Sequence, residues 1–192
     1  MNTKDSAYAD YLIQNQGTLR SLVFQLPYRK HLKSKKLGRT LDVGCGAGRN
    51  LRALHVGSLG IDHNEWVVKA CVEQGFEALT TAAFMQKRTI FENSFDSILL
   101  SHVAEHMTIL ALTQLLRDYQ AFLKPGGNIM MICPQEAGYA SDGTHIQFMD
   151  FETMEACLRA TGYQLKKSYS FPFPRFTGKF FKHNEFIVLG TK

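Results

Sequence analysis

No run of apolar residues in this 192-residue chain approaches the roughly 18 that a membrane span requires. The opening stretch, MNTKDSAYADY, has neither the basic start nor the apolar core of a signal peptide. A soluble, cytoplasmic protein is therefore expected. Cysteine is sparse: Cys45, Cys71, Cys133 and Cys157 stand far apart and form no C-x-x-C pair, which points away from a zinc site and from a disulfide framework. Repeats and low-complexity blocks are lacking too, and only 5 residues are proline. With 45% hydrophobic residues, a chain of this length can bury a core without covalent or metal staples. One ordinary globular domain is the expectation.

Charge is distributed unevenly. Residues 1–39 carry 8 Lys/Arg against 2 Asp/Glu, residues 40–161 carry 8 against 14, and residues 162–192 carry 6 against 1. Six of the cations fall between Arg29 and Arg39, in YRKHLKSKKLGRT, with no acid among them. Such a run is either a solvated basic face or a positive rim turned toward an anionic ligand or nucleic acid.

Tyr8, Tyr11, Leu12, Leu19, Leu22, Val23 and Leu26 have partly helical spacing, weakened by Gly17 and expected to stop at Pro27. Residues 1–39 thus read as an N-terminal helical appendage, a candidate lid, ahead of a domain at 40–192. From there strand and helix patterns alternate. Strands are expected at 39–43, 58–61, 76–81, 95–100, 128–133, 163–170 and 185–189. Helices are expected around Leu51 and Leu54, at 64–74 between the cap Asn64 and the stop Gly75, from the cap Thr108 to Lys124-Pro125-Gly126-Gly127, and from Asp150 to Ala160. This alternation describes an α/β, doubly wound, mainly parallel seven-stranded sheet with helices on both faces. Phe95–Leu100 reads as a central strand because it is apolar almost throughout. The last two strands, joined by FPFPRFTGKFFKHN without a helical pattern, are expected to pair antiparallel.

In open α/β sheets ligands bind beyond the carboxyl ends of the strands. That directs attention to Leu41-Asp42-Val43-Gly44-Cys45-Gly46-Ala47-Gly48-Arg49, whose G-x-G-x-G spacing allows a sharp turn and close approach of a ligand to backbone. A nicotinamide-type fingerprint needs Gly or Ala where this chain has Arg49. Eighteen residues after Gly44, Asp62 ends the second strand, where a carboxylate can accept both hydroxyls of a ribose.

With these features, LDVGCGAG (41–48), LGIDHNE (59–65), NSFDSILLSHVAEHM (93–107) and LKPGGNIMMICP (123–134) resemble the class I, Rossmann-like S-adenosylmethionine-dependent methyltransferases. The resemblance spans roughly residues 38–192 and implies a seven-stranded sheet with an antiparallel last strand. It implies that Gly44, Cys45 and Gly46, with Asp42 nearby, approach the methionine part of S-adenosyl-L-methionine. Asp62 would hold the ribose and His63 would lie against the adenine. Ser101 and His102 would face the methyl end. Where relatives often place an acidic residue after the third strand, this chain has Thr81-Ala82-Ala83-Phe84, so Ala83 backbone and Phe84 packing are expected to hold the adenine.

Methyl transfer from a sulfonium needs an aligned acceptor, and a base only if the acceptor must lose a proton. His102, His106 and His145 are the candidates. His106 belongs to a Glu-His pair, Glu105-His106, that in some relatives joins a metal site; no third ligand is obvious in the sequence, so no metal is expected. Tyr28, Tyr139, Phe148, Phe171, Phe173 and Phe176, with Arg175 or Lys179, either line an acceptor pocket or form core under the last strands. The expected acceptor is a small molecule, lipid-linked group or saccharide, with an anionic handle. The rivals are a nucleic-acid methyltransferase and a non-catalytic cofactor-binding protein. An Asn-Pro-Pro-Tyr motif is missing, and Cys133 precedes Pro134 instead of following it.

Overall fold

The computed structural model describes residues 19–192, so the apolar positions Tyr8, Tyr11 and Leu12 of the appendage lie outside the described residues. Seven strands form a mixed sheet. The chain divides into one unit that ends at Phe91 and a second, Glu92–Lys192.

The first unit contains α1 (Leu19–Ser34), β1 (Thr40–Val43), β2 (Leu59–Asp62), α2 (Glu65–Glu73), β3 (Ala78–Thr80) and α3 (Thr81–Gln86). Its strands lie in the order β3-β2-β1 and pair in parallel. Every residue of β1 and β2 is buried, as strands covered on both faces should be. Helix α2 starts where its sequence promised. The side chain of Asn64 accepts from the Trp66 and Val67 amides, answering two of the first-turn donors that have no partner within a helix. Its buried Val68 and Cys71 join Cys45, Leu51 and Ala78 in a small core, with Leu54 and Phe76 packed against it.

Two expectations fail in this unit. Helix α1 does not stop at Pro27 but runs through it. Proline removes one amide donor yet leaves φ compatible with helix, and the following turns are anchored by the buried Leu32. The helix expected around Leu51 and Leu54 is only a 3₁₀ turn, Leu51–Ala53, because Leu54 is already extended, with ψ 168°.

The second unit contains β4 (Phe95–Ser101), α4 (Ile109–Tyr119), β5 (Leu123–Pro134), α5 (Glu136–Tyr139), α6 (Phe151–Ala160), β6 (Gln164–Phe171) and β7 (Glu185–Thr191). The order is β4-β5-β7-β6; β4 and β5 are parallel, and β7 is antiparallel to both its neighbours, as expected. Thr108 and Asp150 cap α4 and α6 through the Ala111 and Thr153 amides. Lys124-Pro125-Gly126-Gly127 is not a helix end but part of β5. Leu123 pairs with Phe95 and Asn128 with Ser97, so the four residues are absorbed in a bulge, where Pro and Gly are tolerated within a sheet.

One polar knot ties the end of β5 to the β6–β7 connection. The buried Gln135 donates to Ser170 Oγ (2.6 Å) and to the Glu185 carbonyl (3.0 Å), and accepts from Asn184 Nδ2 (2.9 Å). Asn184, also buried, accepts in turn from the Phe173 amide. A Cβ on Gly178 would overlap Gln135 Oε1, so Gly178→Ala must push this knot apart. The expected loss is about 1–3 kcal/mol of stability, the usual range for overpacking. Denaturant unfolding checks it, and a midpoint equal to that of the parent would refute it.

Candidate functional site

In the first unit, β1 runs directly into the glycine loop. The Gly44 and Cys45 amides both donate to the Ile61 carbonyl, at 2.8 and 3.0 Å, which folds the loop back over the end of β2. Gly46 has φ +52° and donates its amide to Asp62 Oδ2 at 3.0 Å. Asp62 Oδ1 accepts from the Asn64 amide at 2.9 Å. One carboxylate thus clamps the loop and starts α2. Gly48, at φ +82°, leaves no room for a side chain either: a Cβ there would stand 3.0 Å from the Phe76 ring.

Within this unit the structure brings Gly44, Gly46, Asp62 and His63 together. His63 is half exposed, with Nδ1 3.4 Å from Asp62 Oδ1. The Cys45 thiol points into the small core, so only its backbone faces the loop. Asp42 is completely buried in β1, and neither carboxylate oxygen finds a hydrogen-bond donor among the described residues. Burial pushes its pKa up to about 7 against the pull of nearby Asn50 and Arg49, with the Asp62 charge adding to the rise.

Ala83 and Phe84, expected to hold the adenine, lie at the start of α3. The Ala83 amide donates to Oγ1 of Thr80, the N-cap of α3, at 3.1 Å. The Phe84 side chain is fully buried and stacked on Phe91, with ring centroids 4.9 Å apart. Its ring is core.

In the second unit β4 ends at the buried Ser101, and the next residue, His102, adopts a left-handed backbone with φ +58°. That conformation is uncommon outside glycine. It turns the His102 ring between two acids: Nδ1 lies 3.2 Å from Glu105 Oε1, and Nε2 lies 2.8 Å from Glu185 Oε1. An imidazole can face two acceptors in this way only with both nitrogens protonated. Burial lowers the His102 pKa, but Glu105 and Glu185 outweigh that and raise it to about 9. As a cation at neutral pH, His102 has no lone pair with which to serve as the base expected of it.

His106 and His145 are held by main-chain carbonyls instead of acids. His106 Nδ1 donates to the Thr144 carbonyl (3.2 Å) and His145 Nδ1 to the Tyr139 carbonyl (2.7 Å), which in the neutral form of each ring leaves the lone pair on Nε2. The two rings lie 4.9 Å apart, and Tyr139 stacks on His145 at 5.2 Å and meets Phe148 edge-on. The 141–149 loop is held in place because the Ile146 and Gln147 amides donate to the Glu105 carbonyl. His102, His106 and His145 therefore gather around Glu105. Of the aromatic residues expected to line a pocket, Tyr139 and Phe148 join this cluster, whereas Phe173 and Phe176 are exposed. Arg175 is committed to a two-pronged pair with Glu136 and lies over the Phe186 ring.

No sequence pattern singled out Glu185. Its one signal is its position as the lone acid of residues 162–192, at the start of the last strand.

The chain matches, over residues 11–168, the model of a family described as a methyltransferase domain. Among solved structures it is similar to a SAM-dependent methyltransferase from Archaeoglobus fulgidus, at 21% identity and TM-score 0.71, over 96% of this chain and 99% of that one. It is also similar to the magnesium protoporphyrin IX methyltransferase of Synechocystis PCC 6803 with bound SAH: 11% identity, TM-score 0.69, 99% of this chain and 96% of that one. A third likeness is to SAM-dependent methyltransferases from Methanosarcina mazei: 16% identity, TM-score 0.60, 80% and 91% coverage. At these identities the likeness is one of fold. No curated protein matches the chain in sequence.

The buried Asp42 generates a prediction about pH. Its folded pKa of about 7 lies above the ordinary 3.8, so it keeps its proton longer in the folded state than in the unfolded one. The resulting stability is fully present below pH 4 and is lost as pH rises through 7, on the order of 4 kcal/mol by pH 8. Asp42→Asn removes this dependence. In the ligand-free protein, the melting temperature of the variant relative to its parent is expected to rise between pH 5 and pH 8. A difference that stays constant with pH would contradict the assignment.

Proposed function

This chain belongs to the methyltransferase-domain family and is an S-adenosylmethionine-dependent methyltransferase with the Rossmann-like fold, and on that footing we propose that it methylates an oxygen or nitrogen of a small-molecule acceptor. The observation that carries the choice of acceptor class is the Glu105–His106–His145 cluster, walled by Tyr139 and Phe148. Two imidazoles beside flat apolar walls suit a single reacting group on a compact body. They do not resemble a surface built to follow a phosphate backbone, where cations would lead.

The residues of the first unit fit the cofactor. Asp62 spends part of its acceptor capacity on the Gly46 and Asn64 amides, and a carboxylate offers about four lone-pair sites. The remaining sites suit the two hydroxyls of a ribose. The Asp42 oxygens are acceptors in need of a donor, which a cationic amino group or a bridging water beside the glycine loop would supply. When bound, S-adenosylmethionine supplies a methyl group already activated by the sulfonium.

The work left to the protein is alignment and exclusion of water. In this reading Gly44 and Gly46 bring backbone close to the cofactor. His102, held as a cation between Glu105 and Glu185, positions those carboxylates and takes no proton. The reacting group of the acceptor is placed beside His106 and His145. Lys179, exposed on the 3₁₀ turn Arg175–Lys179, is a better partner for an anionic handle than Arg175, which Glu136 already neutralises.

Calorimetric titration with S-adenosylmethionine, S-adenosylhomocysteine and NADH tests the first half of the proposal. The two adenosyl ligands are expected to bind and NADH is not. Asp62→Ala is expected to weaken S-adenosylmethionine binding by roughly 1.5–3 kcal/mol, the range for hydrogen bonds to a charged group. Unchanged affinity would remove Asp62 from the ribose site. An acceptor panel tests the second half: with a methylated acceptor in hand, His145→Ala should lower turnover and leave cofactor affinity nearly intact. Equal turnover in variant and parent would exclude His145, and methylation of RNA or DNA in place of small molecules would overturn the acceptor class.

A further inference from the structure

The Glu105 side chain is completely removed from solvent, and neither of its oxygens receives a well-formed hydrogen bond from the described residues. A carboxylate in that position is normally met by a cation or by several donors, because leaving it bare costs several kcal/mol. His102 answers it from 3.2 Å, and the buried Cys133 thiol also faces it. Close to it stand the two histidines whose Nδ1 hydrogens are already donated to main-chain carbonyls, of Thr144 and of Tyr139. That arrangement is the one that fixes metal-binding imidazoles, with the far nitrogen bare and the ring oriented by a carbonyl. One ligand atom from each of Glu105, His106 and His145 lies within 4.8 Å of the other two. Ligands about 2.1 Å from a tetrahedral ion stand about 3.4 Å apart, so the set has to close by little more than an ångström.

From this geometry we infer that Glu105, His106 and His145 form a binding site for one divalent transition-metal ion. Two imidazoles and one carboxylate form a borderline-hard donor set, suited to zinc, iron(II), cobalt(II) or manganese(II) better than to magnesium or calcium, which favour oxygen throughout. Three protein ligands leave at least one coordination position open, the pattern of catalytic rather than structural sites. An oxygen of the acceptor is the natural occupant of that position, and coordination would orient it for methyl transfer. This role rests on the methyl-transfer reading, whereas the ion site itself does not.

The sequence concealed the set because His145 lies 40 residues from Glu105, on a loop without local metal-ligand spacing. The loop geometry brings it back. Thr144 is pinned by Asp142, which accepts from both its amide and its hydroxyl at 2.9 and 2.7 Å, and this holds His145 next to His106.

The test is titration of the chelator-stripped full chain with Zn²⁺, repeated with Mg²⁺, without cofactor or acceptor. One Zn²⁺ per chain is expected, and Co²⁺ in its place should give the visible d–d bands of a nitrogen- and oxygen-bound ion. His106→Ala and His145→Ala should each weaken Zn²⁺ binding by more than about a hundredfold, beyond the effect of losing an outer partner. His55→Ala, an exposed histidine of the first unit, should leave it unchanged. Circular dichroism confirms that each variant is folded, and His145→Ala, on a loop, carries the test if His106→Ala is not. Absence of stoichiometric Zn²⁺, tighter binding of Mg²⁺ than of Zn²⁺, or equal Zn²⁺ affinity in the parent and the histidine variants would overturn the site. Zn²⁺ binding by a chain that fails to bind S-adenosylmethionine would support the site and overturn the methyl-transfer reading instead.

Discussion

A carboxylate withdrawn from water must be answered by donors, and that constraint governs both units of this protein. Asp42 and Asp62 sit within and at the end of two buried parallel strands, Glu105 follows the central strand β4, and Glu185 opens β7. Each is less than one-tenth exposed or nearly so. The answer given to each decides what its surroundings can do. Asp62 is answered by backbone amides, Glu185 by an imidazolium, Glu105 by that imidazolium on one side, and Asp42 by no hydrogen bond among the described residues.

From this constraint follow the backbone features that look costly in isolation. The glycine loop takes left-handed conformations so that the Gly46 amide can reach Asp62. His102 accepts the same conformation with a full side chain because only there does its ring meet both Glu105 and Glu185. Such conformations persist where the surroundings over-determine them, and they gather at functional sites. The charge of His102 is part of the same account: it is locked in as a cation by its acids and so serves as a holder of carboxylates.

Much of the fold was legible in residues close together in the chain. The caps Asn64, Thr108 and Asp150 were readable because capping is a contact over two or three residues, and the buried parallel strands announced themselves by unbroken apolar runs. Pro27 misled because a local rule about broken hydrogen bonds says nothing of the packing that anchors Leu32. Phe84 misled for the complementary reason. It stood at the right distance along the chain to face an adenine, but Phe91, seven residues on, claims its ring for the core.

The sequence alone determined that this is an α/β protein with a glycine loop after its first strand and an acid after its second, and those features by themselves pointed to a nucleoside-type cofactor. They are short-range facts: a turn, a strand end and a spacing. Tertiary structure alone decided that His102 is a cation, because its protonation depends on a partner as far off as Glu185, 83 residues away. It also decided that His145 belongs with Glu105. Hydrogen bonds from two loop amides to a carbonyl 41 and 42 residues earlier make that neighbourhood, and no pattern in the chain records them.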